Sequence, residues 1–398
     1  MSFFKKYINI IFIVFFIVYS LTVYVFFYKN DIYQALTDAD FYAKTYRWLF
    51  LNSGNRNYEP KLIDLSESVN NSLTDVTPFL DTRIDKNKNL IYCSSLQISW
   101  NELINNLIKD PIGIENPPEY LSRLNFSKEQ RFIPSDNSLF SIVGEAAKVY
   151  NKEFFMNINH SFDNLIPKVT SEIKIKLSPE NIYVVSLMLK RLEFKNEFEG
   201  IYGHEFKYND KTVHVKAFGI KDYSYEQRRK VIGKIIAFHD TTESRIKPEK
   251  FALILVTQFN SDEVILSNLV PEETLEKTYR KIELLVNNKL RYEPFFENSF
   301  LSIPAIDFDV MYNFDKLSNK KLMNEKFRNK ILEKVVQRIR LKLNENGTFS
   351  LSHKNWGAVS RPQHYNIDGP FFIYIKNKSF DKPYFMAYIA NDELLEKD

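Results

Sequence analysis

A regular alternation of apolar and polar residues lies close to the C-terminus of the 398-residue chain, at residues 335–343. One set of positions comprises Val335, Gln337, Ile339, Leu341 and Leu343, and the intervening set includes Arg338, Arg340 and Lys342. This period of two predicts a half-buried strand. Phe371 to Ile375 is continuously aromatic or aliphatic, which predicts a strand buried on both faces. A turn at residues 381–383 then precedes a further predicted strand, Tyr384 to Ile389.

A long polar segment separates the first two of these strands. Roughly 27 residues, Asn344 to Pro370, lie between them, far more than the two to five residues of a typical hairpin loop. Loops of this length in folded domains are usually functional or disordered. The segment is therefore the first candidate for a functional site.

The middle of the chain contains both strand and helix patterns. Residues 89–108 predict a short apolar strand followed by a helix, because Leu96, Trp100, Leu103 and Leu107 recur at helical spacing. Further strands are predicted at Phe206 to Tyr208 and Val213 to Val215 around a turn at Asn209-Asp210, and at Val231 to Phe238 and Phe251 to Gln258. Helices are predicted at Leu62 to Val76 and from Pro271-Glu272 onward.

The N-terminus carries an apolar segment of a different kind. Residues 7–28 contain no charged side chain and are long enough to cross a bilayer of about 30 Å as a helix. Lys5 and Lys6 precede them, which predicts a single-pass signal anchor with a cytoplasmic N-terminus and the body outside. The alternative is a cleaved signal peptide and a secreted body. We divide the chain into the anchor (1–29), a juxtamembrane or helical segment (30–88) and a main domain (89–398).

Composition narrows the functional classes. The chain is 44% hydrophobic, 26% charged and 15% aromatic, as in globular proteins. A net charge of +4 without a dense Lys/Arg cluster argues against a nucleic-acid partner. The single cysteine, Cys93, excludes an internal disulfide framework.

Motifs for catalysis are missing from the sequence. It contains no G-x-S-x-G, no glycine-rich phosphate loop and no H-E-x-x-H, and no two of its six histidines are spaced by three or four residues. His204 and His214 could face each other across the predicted hairpin, but exposed strand histidines are the simpler interpretation. We expect no enzyme activity, cofactor or metal; an enzyme with a dispersed active site is kept as an alternative.

The segments on either side of the long loop resemble a known family. E-x-G-T at Glu345 to Thr348, G-P-F at Gly369 to Phe371 and F-M-A at Phe385 to Ala387 are similar to the C-terminal signature of the serpins. Weaker similarities follow in order from Asn89 to Glu393. The resemblance implies an α+β fold with large mixed, mainly antiparallel β-sheets and packed helices, here preceded by the transmembrane helix. It also implies an exposed reactive loop whose partner is an extracytoplasmic protease or another protein.

In inhibitory serpins the cleaved loop inserts into the main sheet through a hinge. The resemblance places that hinge at Glu345, Gly347, Thr348, Ser350 and Ser352. Continued insertion would bury Lys354, and an unpaired buried ammonium costs several kcal/mol or must lose its proton. Phe349 and Leu351 stand where inhibitors favour small residues. A protease inhibitor and a non-inhibitory binding or structural module therefore both stay open.

The resemblance also places a candidate bait bond. The usual spacing from Glu345 puts it between Arg361 and Pro362, which suits a trypsin-like protease except that the proline obstructs cleavage. A loop shorter by about two residues than is usual in the family would move the bond to Val359 or Ser360. Arg361 could equally be a solvated loop residue.

A pair of amides is predicted behind the opening of the main sheet. Gln337 stands where serpins usually carry a buried histidine, and Gln97 stands at the facing serine position. Two amides can exchange a donor and an acceptor. We therefore predict a hydrogen bond between Gln97 and Gln337.

Overall fold

The computed structural model describes residues 61–68, 72–127, 139–145, 181–194, 198–221, 235–239, 248–256, 262–288, 290, 292–295, 299–347 and 363–398. These residues belong to one unit, Pro60–Phe154 and Val169–Asp398, and their strands form three sheets of six, eight and four strands. The strands are β1 (Leu62–Ser66), β2 (Thr74–Thr77), β3 (Asn89–Cys93), β4 (Leu139–Glu145), β5 (Ile182–Phe194), β6 (Glu199–Tyr208), β7 (Lys211–Ile220), β8 (Ile235–His239), β9 (Phe251–Leu255), β10 (Asp262–Ser267), β11 (Tyr292–Pro294), β12 (Phe300–Pro304), β13 (Ile306–Asn313), β14 (Lys320–Lys321), β15 (Ile331–Gly347), β16 (His364–Asn366), β17 (Phe371–Asn377) and β18 (Phe385–Ile389). The helices are α1 (Ser95–Glu102), continued by a π-helix (Leu103–Ile108), α2 (Leu121–Phe126) and α3 (Leu275–Val286), with 3₁₀ turns at Glu325–Phe327 and Asp392–Leu394. This is the α+β class that the sequence predicts.

The six-stranded sheet has the order β1-β13-β15-β5-β4, with β14 paired to β15. β15 confirms the predicted strand and its two faces. Its core-facing residues Val335, Gln337, Ile339, Leu341 and Leu343 are all fully buried. They pack with the inward side chains of β5, such as Val184 and Met188, in the main hydrophobic core.

The eight-stranded sheet is buried on both faces. Its order is β11-β8-β9-β10-β17-β18-β3-β2. Ile373 and Ala387 face the main core that the six-stranded sheet shares, whereas Phe372 and Tyr374 face a second core beneath α3. The continuous apolar run predicted for residues 371–375 follows from this double burial. Such runs identify central strands, because only a strand covered on both sides can be apolar at every position.

The four-stranded sheet has the order β16-β12-β7-β6. The predicted hairpin around Asn209-Asp210 joins β6 to β7, with Tyr208 paired to Lys211. Both turn residues have positive φ, 44° and 60°, as a type I′ turn requires. Asn and Asp tolerate this conformation, which explains why two such residues mark the turn.

The helix predicted after the strand at residues 89–93 and the helix predicted from Pro271 onward are both present. Leu96, Trp100 and Leu103 are fully buried along α1 and its π-helical continuation. α3 begins at Leu275, and the Thr274 side chain caps it by accepting a hydrogen bond from the Lys277 N–H. Pro271, Glu272 and Glu273 therefore precede the N-cap residue Thr274 and lie outside the helix.

Two expectations are wrong. Leu62 to Val76 is not a helix: β1 pairs in parallel with β13, and β2 pairs in parallel with β3. Pairing with neighbouring strands in the sheets overrides local helix propensity here. The long loop is also shorter than predicted, since β15 continues to Gly347 and β16 begins at His364.

The predicted anchor at residues 7–28 lies outside the described residues, so it stays a prediction. Among the residues that the structure describes, none of the helices is long and apolar enough to span a membrane.

We expect Gly219→Ala to destabilise the four-stranded sheet. A Cβ atom at Gly219 would lie 3.2 Å from the Ser302 Cα atom and 2.6 Å from the Leu301 carbonyl carbon, so β7 and β12 would have to move apart. Forcing extra atoms into a packed site costs about 1–3 kcal/mol. The matched control is Gly200→Ala, where the added Cβ meets no atom within 4 Å. Denaturant unfolding measures both, and equal stability of the two variants would contradict the close strand approach.

Candidate functional site

The centre of the six-stranded sheet is a parallel contact, which we call the seam. Leu332 to Leu343 of β15 pair with Ile182 to Leu192 of β5. The outer neighbours of the seam are antiparallel, because β13 runs opposite to β15 and β4 runs opposite to β5. A strand placed within the seam and running against both edges would make this part of the sheet antiparallel throughout. The seam is closed, since β15 and β5 pair directly.

The seam ends in a register shift. Leu343 pairs with Leu192 and Gly347 pairs with Phe194, so three residues of β15 oppose one residue of β5. An irregularity of this kind bends a strand and interrupts its ladder. The Glu345 carbonyl accepts a hydrogen bond from the Phe198 N–H at 2.9 Å. Two predicted hinge residues, Glu345 and Gly347, therefore lie where the seam ends.

The rest of the predicted hinge and bait bond lies outside the described residues. This applies to Thr348, Ser350, Ser352, Arg361 and Pro362. Residues 348–362 connect Gly347 to Gln363, and their assigned roles stay predictions.

The C-terminal end of this segment is held by the four-stranded sheet. The Gln363 carbonyl accepts a hydrogen bond from the Phe300 N–H at 2.7 Å, and its N–H donates to the Ser299 Oγ atom at 3.3 Å. β16 then pairs in parallel with β12. Tyr365 is buried and lies 5.7 Å from the Phe295 ring between centroids. The residues that flank 348–362 on both sides are thus hydrogen-bonded to β-structure or to the residue that precedes it.

His204 strengthens the C-terminal attachment. Its Nε2 atom lies 2.9 Å from the Ile367 carbonyl, and its Nδ1 atom lies 2.9 Å from the Ser302 Oγ atom. A carbonyl can only accept, so Nε2 carries the proton and Nδ1 accepts from the Ser302 hydroxyl. Burial lowers the pKa of His204, although the Ile367 hydrogen bond and the nearby carboxylates Asp368, Asp398 and Glu205 act in the opposite direction. The neutral imidazole therefore fits this site.

Gln337 lies behind the middle of the seam, but the predicted partner is wrong. Its Nε2 atom donates to the Cys93 carbonyl at 3.1 Å and to the Ser95 Oγ atom at 2.7 Å. The Gln97 Nε2 atom instead donates to the Leu124 carbonyl and the Asn101 Oδ1 atom. The Gln337 Oε1 atom accepts no hydrogen bond from the described residues.

Helix geometry explains the correction. Ser95 opens α1 and turns toward β15. Gln97 follows two residues later, about 200° around the helix axis, and so points toward α2. The residue of α1 behind the seam is therefore Ser95, two residues earlier than the resemblance to the family placed it.

A buried ion pair was missed by the sequence reasoning. The Lys190 Nζ atom of β5 lies 2.8 Å from the Asp262 Oδ2 atom, and the two side chains are only 2% and 1% exposed. The Tyr384 hydroxyl donates to the same oxygen at 2.8 Å. Lys190 lies on the same face of β5 as the buried Val184 and Met188, so the period of two could have predicted its burial. The burial of Asp262 could not be predicted in this way, because Asp262 is the first residue of β10.

Cys93 lies beneath the same region. Its thiol is 3.3 Å from the Ser95 Oγ atom and 3.5 Å from the Met188 Sδ atom. Burial raises the pKa of the Cys93 thiol to about 11, although the Ser95 hydrogen bonds oppose this rise. The thiol is a packed core group and a poor nucleophile at neutral pH.

The described residues contain no group of three or more metal-ligating side chains. His204 is buried and His214 is exposed, and each pairs with a different residue across the hairpin. The two histidines therefore do not face each other.

Comparison with known proteins adds similarity of fold. No family model matches the chain, and no curated protein matches it in sequence. Among solved structures, maspin has 11% identity and a TM-score of 0.49, and the alignment covers 76% of this chain and 92% of maspin. The mouse protein-Z dependent protease inhibitor has 13% identity and a TM-score of 0.47, with coverages of 76% and 91%. Uncleaved ovalbumin has 11% identity and a TM-score of 0.42, with coverages of 76% and 93%.

The solved structures that this chain resembles are serpins, the family whose motifs its C-terminal segments resemble. With sequence identities of 10–13% and TM-scores of 0.49 or lower, this similarity is one of fold alone. Inference about function therefore depends on the strands and side chains of this chain itself.

We expect His204 to make stability depend on pH. Its pKa is lowered below the ordinary value of 6.5 by burial, so its contribution is complete above that pH and is lost as the pH falls below it. His204→Gln removes the titrating group and should shrink the drop in Tm between about pH 7.5 and about pH 5.5. The exposed His214→Gln is the control and should retain the wild-type drop. An unchanged drop in His204→Gln would contradict the buried neutral imidazole.

Proposed function

We propose that this chain is a serpin-like protein that presents residues 348–362 to a protein partner outside the cytoplasm. The observation that carries the proposal is the attachment of both ends of this segment to β-structure. Glu345 is bound at the end of the seam, and Gln363 is bound by β12. A connection whose flanking residues are held on both sides is suited to recognition.

A protease is the partner class that we infer. The resemblance of the flanking motifs to serpins supports it, and Arg361 would offer a trypsin-like enzyme its preferred side chain. We propose binding, or use of the loop as a substrate, as the primary outcome of this encounter. No catalytic role is proposed for the chain.

Inhibition by loop insertion is the second candidate, and the seam favours it. β15 and β5 are parallel neighbours with antiparallel strands on both sides. A cleaved segment leaving Gly347 would run back along β15, so it could form antiparallel ladders with both edges. The register shift at residues 344–346 already interrupts the ladder at the end where entry would begin.

Loop chemistry weighs against efficient insertion. The proposed inward set contains Thr348, Ser350 and Ser352, followed by Lys354. Counting back seven residues from Gly347, Lys354 would arrive opposite Ile339 to Leu341, whose partners in β5 are Met188 to Lys190. None of these positions carries a carboxylate to pair with an ammonium group, and Lys190 already pairs with Asp262. This favours the binding function over inhibition.

We expect trypsin to cleave the full-length chain within residues 348–362 without forming a denaturant-stable covalent complex. The Tm of the cleaved chain should remain unchanged, because the burial of Lys354 opposes insertion. Gel electrophoresis in denaturant, N-terminal sequencing and thermal unfolding measure these outcomes, and an elastase-like protease tests the alternative bonds at Val359 and Ser360.

The control is Lys354→Thr, which removes the ammonium and is cleaved with the elastase-like protease, because the only Lys/Arg bond left in the segment, Arg361-Pro362, is obstructed by the proline. Its Tm should rise after cleavage if insertion is otherwise possible. A stable covalent complex with the wild-type chain would establish inhibition and overturn the binding proposal. Resistance of residues 348–362 to both proteases would refute their presentation to a partner.

We further propose that residues 7–28 anchor the chain in a membrane, with the N-terminus in the cytoplasm. Their length and lack of charge, with Lys5 and Lys6 before them, support this arrangement. Secretion after signal cleavage is the alternative.

We expect the full chain to stay in the membrane fraction after alkaline carbonate extraction and to be digested by protease added from the extracytoplasmic side. A variant without residues 7–28 is the control and should be released from membranes. Recovery of the wild-type chain as a soluble product with a shortened N-terminus would establish cleavage and contradict the anchor.

A further inference from the structure

The strands on either side of the seam are each attached to the layer behind them. On the β15 side, the Gln337 Nε2 atom donates to the Cys93 carbonyl, which belongs to β3 of the eight-stranded sheet. On the β5 side, Lys190 reaches Asp262, the first residue of β10 in that same sheet. The two sheets are thus joined by polar contacts inside an apolar core.

The Lys190 contact is placed at the end of the seam. Lys190 pairs with Leu341, two residues before the last regular pair, Leu343 with Leu192. Beyond that pair the ladder is interrupted. Any separation of β15 from β5 that starts at this interruption reaches the Lys190 position before it reaches Gln337.

The acceptor side of the contact is firmly held. Asp262 pairs with Asn377 at the start of β10, and the Tyr384 hydroxyl donates to its Oδ2 atom. The Tyr384 N–H donates to the Ile375 carbonyl at 3.0 Å, and its own carbonyl accepts from the Ser94 N–H at 2.9 Å. Moving β5 sideways would therefore pull Lys190 away from a fixed carboxylate.

Separating the pair is unfavourable because both charges are desolvated. A buried ammonium and a buried carboxylate that lose each other are left without the interaction that compensates their transfer from water. The Lys190 Nζ atom also lies 5.7 Å from the centroid of the Tyr384 ring, a favourable cation–π distance.

We propose that Lys190, Asp262 and Tyr384 form a latch that keeps the seam closed by fastening β5 to the eight-stranded sheet. The latch controls how often the seam opens, and so how readily a strand can enter it. It concerns the seam itself and does not depend on protease inhibition, so it survives if the chain proves to be a binding module.

Hydrogen–deuterium exchange of the full-length chain, followed by mass spectrometry, tests the latch. Asp262→Asn keeps the size of the side chain and removes the carboxylate charge that pairs with Lys190, which leaves a buried ammonium without its counter-charge. We expect exchange in peptides covering residues 182–192 and 335–343 to accelerate about tenfold, because a local opening is favoured. Peptides covering Phe371–Asn377 should exchange at the wild-type rate.

The matched control is Lys376→Met. Lys376 forms a covered ion pair with Glu283 of α3 at 2.7 Å, away from the seam. This variant should leave exchange in the seam unchanged. If it accelerates exchange there as strongly as Asp262→Asn does, the latch is overturned.

Tyr384→Phe serves if Asp262→Asn does not fold. It removes one hydrogen bond to the Asp262 Oδ2 atom and keeps the ion pair, so seam exchange should accelerate about threefold. Wild-type exchange in the seam of this variant, or a uniform acceleration over the whole chain, would overturn the proposal.

Discussion

The parallel contact between β15 and β5 is the constraint on which the rest of the arrangement depends. Because the two strands run in the same direction, both end at the same edge of the six-stranded sheet. Gly347 leaves β15 there, and the chain after Phe194 enters the four-stranded sheet close by, where the Phe198 N–H binds the Glu345 carbonyl. β16 belongs to that same four-stranded sheet. The residues that flank 348–362 are therefore both hydrogen-bonded to segments that enter or belong to the four-stranded sheet, Glu345 to Phe198 and Gln363 to Phe300.

Polar groups behind the seam make this contact specific. An apolar interior would allow β15 and β5 to slide against the eight-stranded sheet at little cost, because hydrophobic contacts are non-directional. Gln337 and Lys190 instead require particular acceptors, the Cys93 carbonyl and the Asp262 carboxylate. Leaving either donor unpaired would carry the full desolvation penalty of a buried polar group. The register between the layers is thereby determined.

Much of the fold follows from local sequence patterns. Three features could be predicted because each depends on a period or a backbone conformation encoded within a few residues. They are the two faces of β15, the double burial of β17 and the turn at Asn209-Asp210. The helix predicted over β1 and β2 is wrong because local spacing carries no information about strand pairing, which joins β1 to the distant β13 and β2 to β3.

Only part of the candidate site could be predicted from the sequence, because local patterns do not show contacts between separate elements. Glu345 and Gly347 were predicted to lie in the loop after Leu343, whereas they belong to β15, and their hinge role stays a prediction. The partner of Gln337 was misassigned by the short distance between Ser95 and Gln97, a difference that becomes large only when converted to an angle around α1. The pairing of Lys190 with Asp262 joins two sheets, so it emerges from packing and not from any motif.

The burial of Cys93 has a practical consequence for spectroscopy. It is the only cysteine in the chain, it is fully buried, and its thiol is protonated at neutral pH. Maleimide and iodoacetamide reagents act on exposed thiolates. A cysteine introduced within residues 348–362 would thus be the single reactive thiol of an otherwise unaltered protein. A fluorophore or spin label placed there could follow the segment while its partner binds, without removal of the native residue.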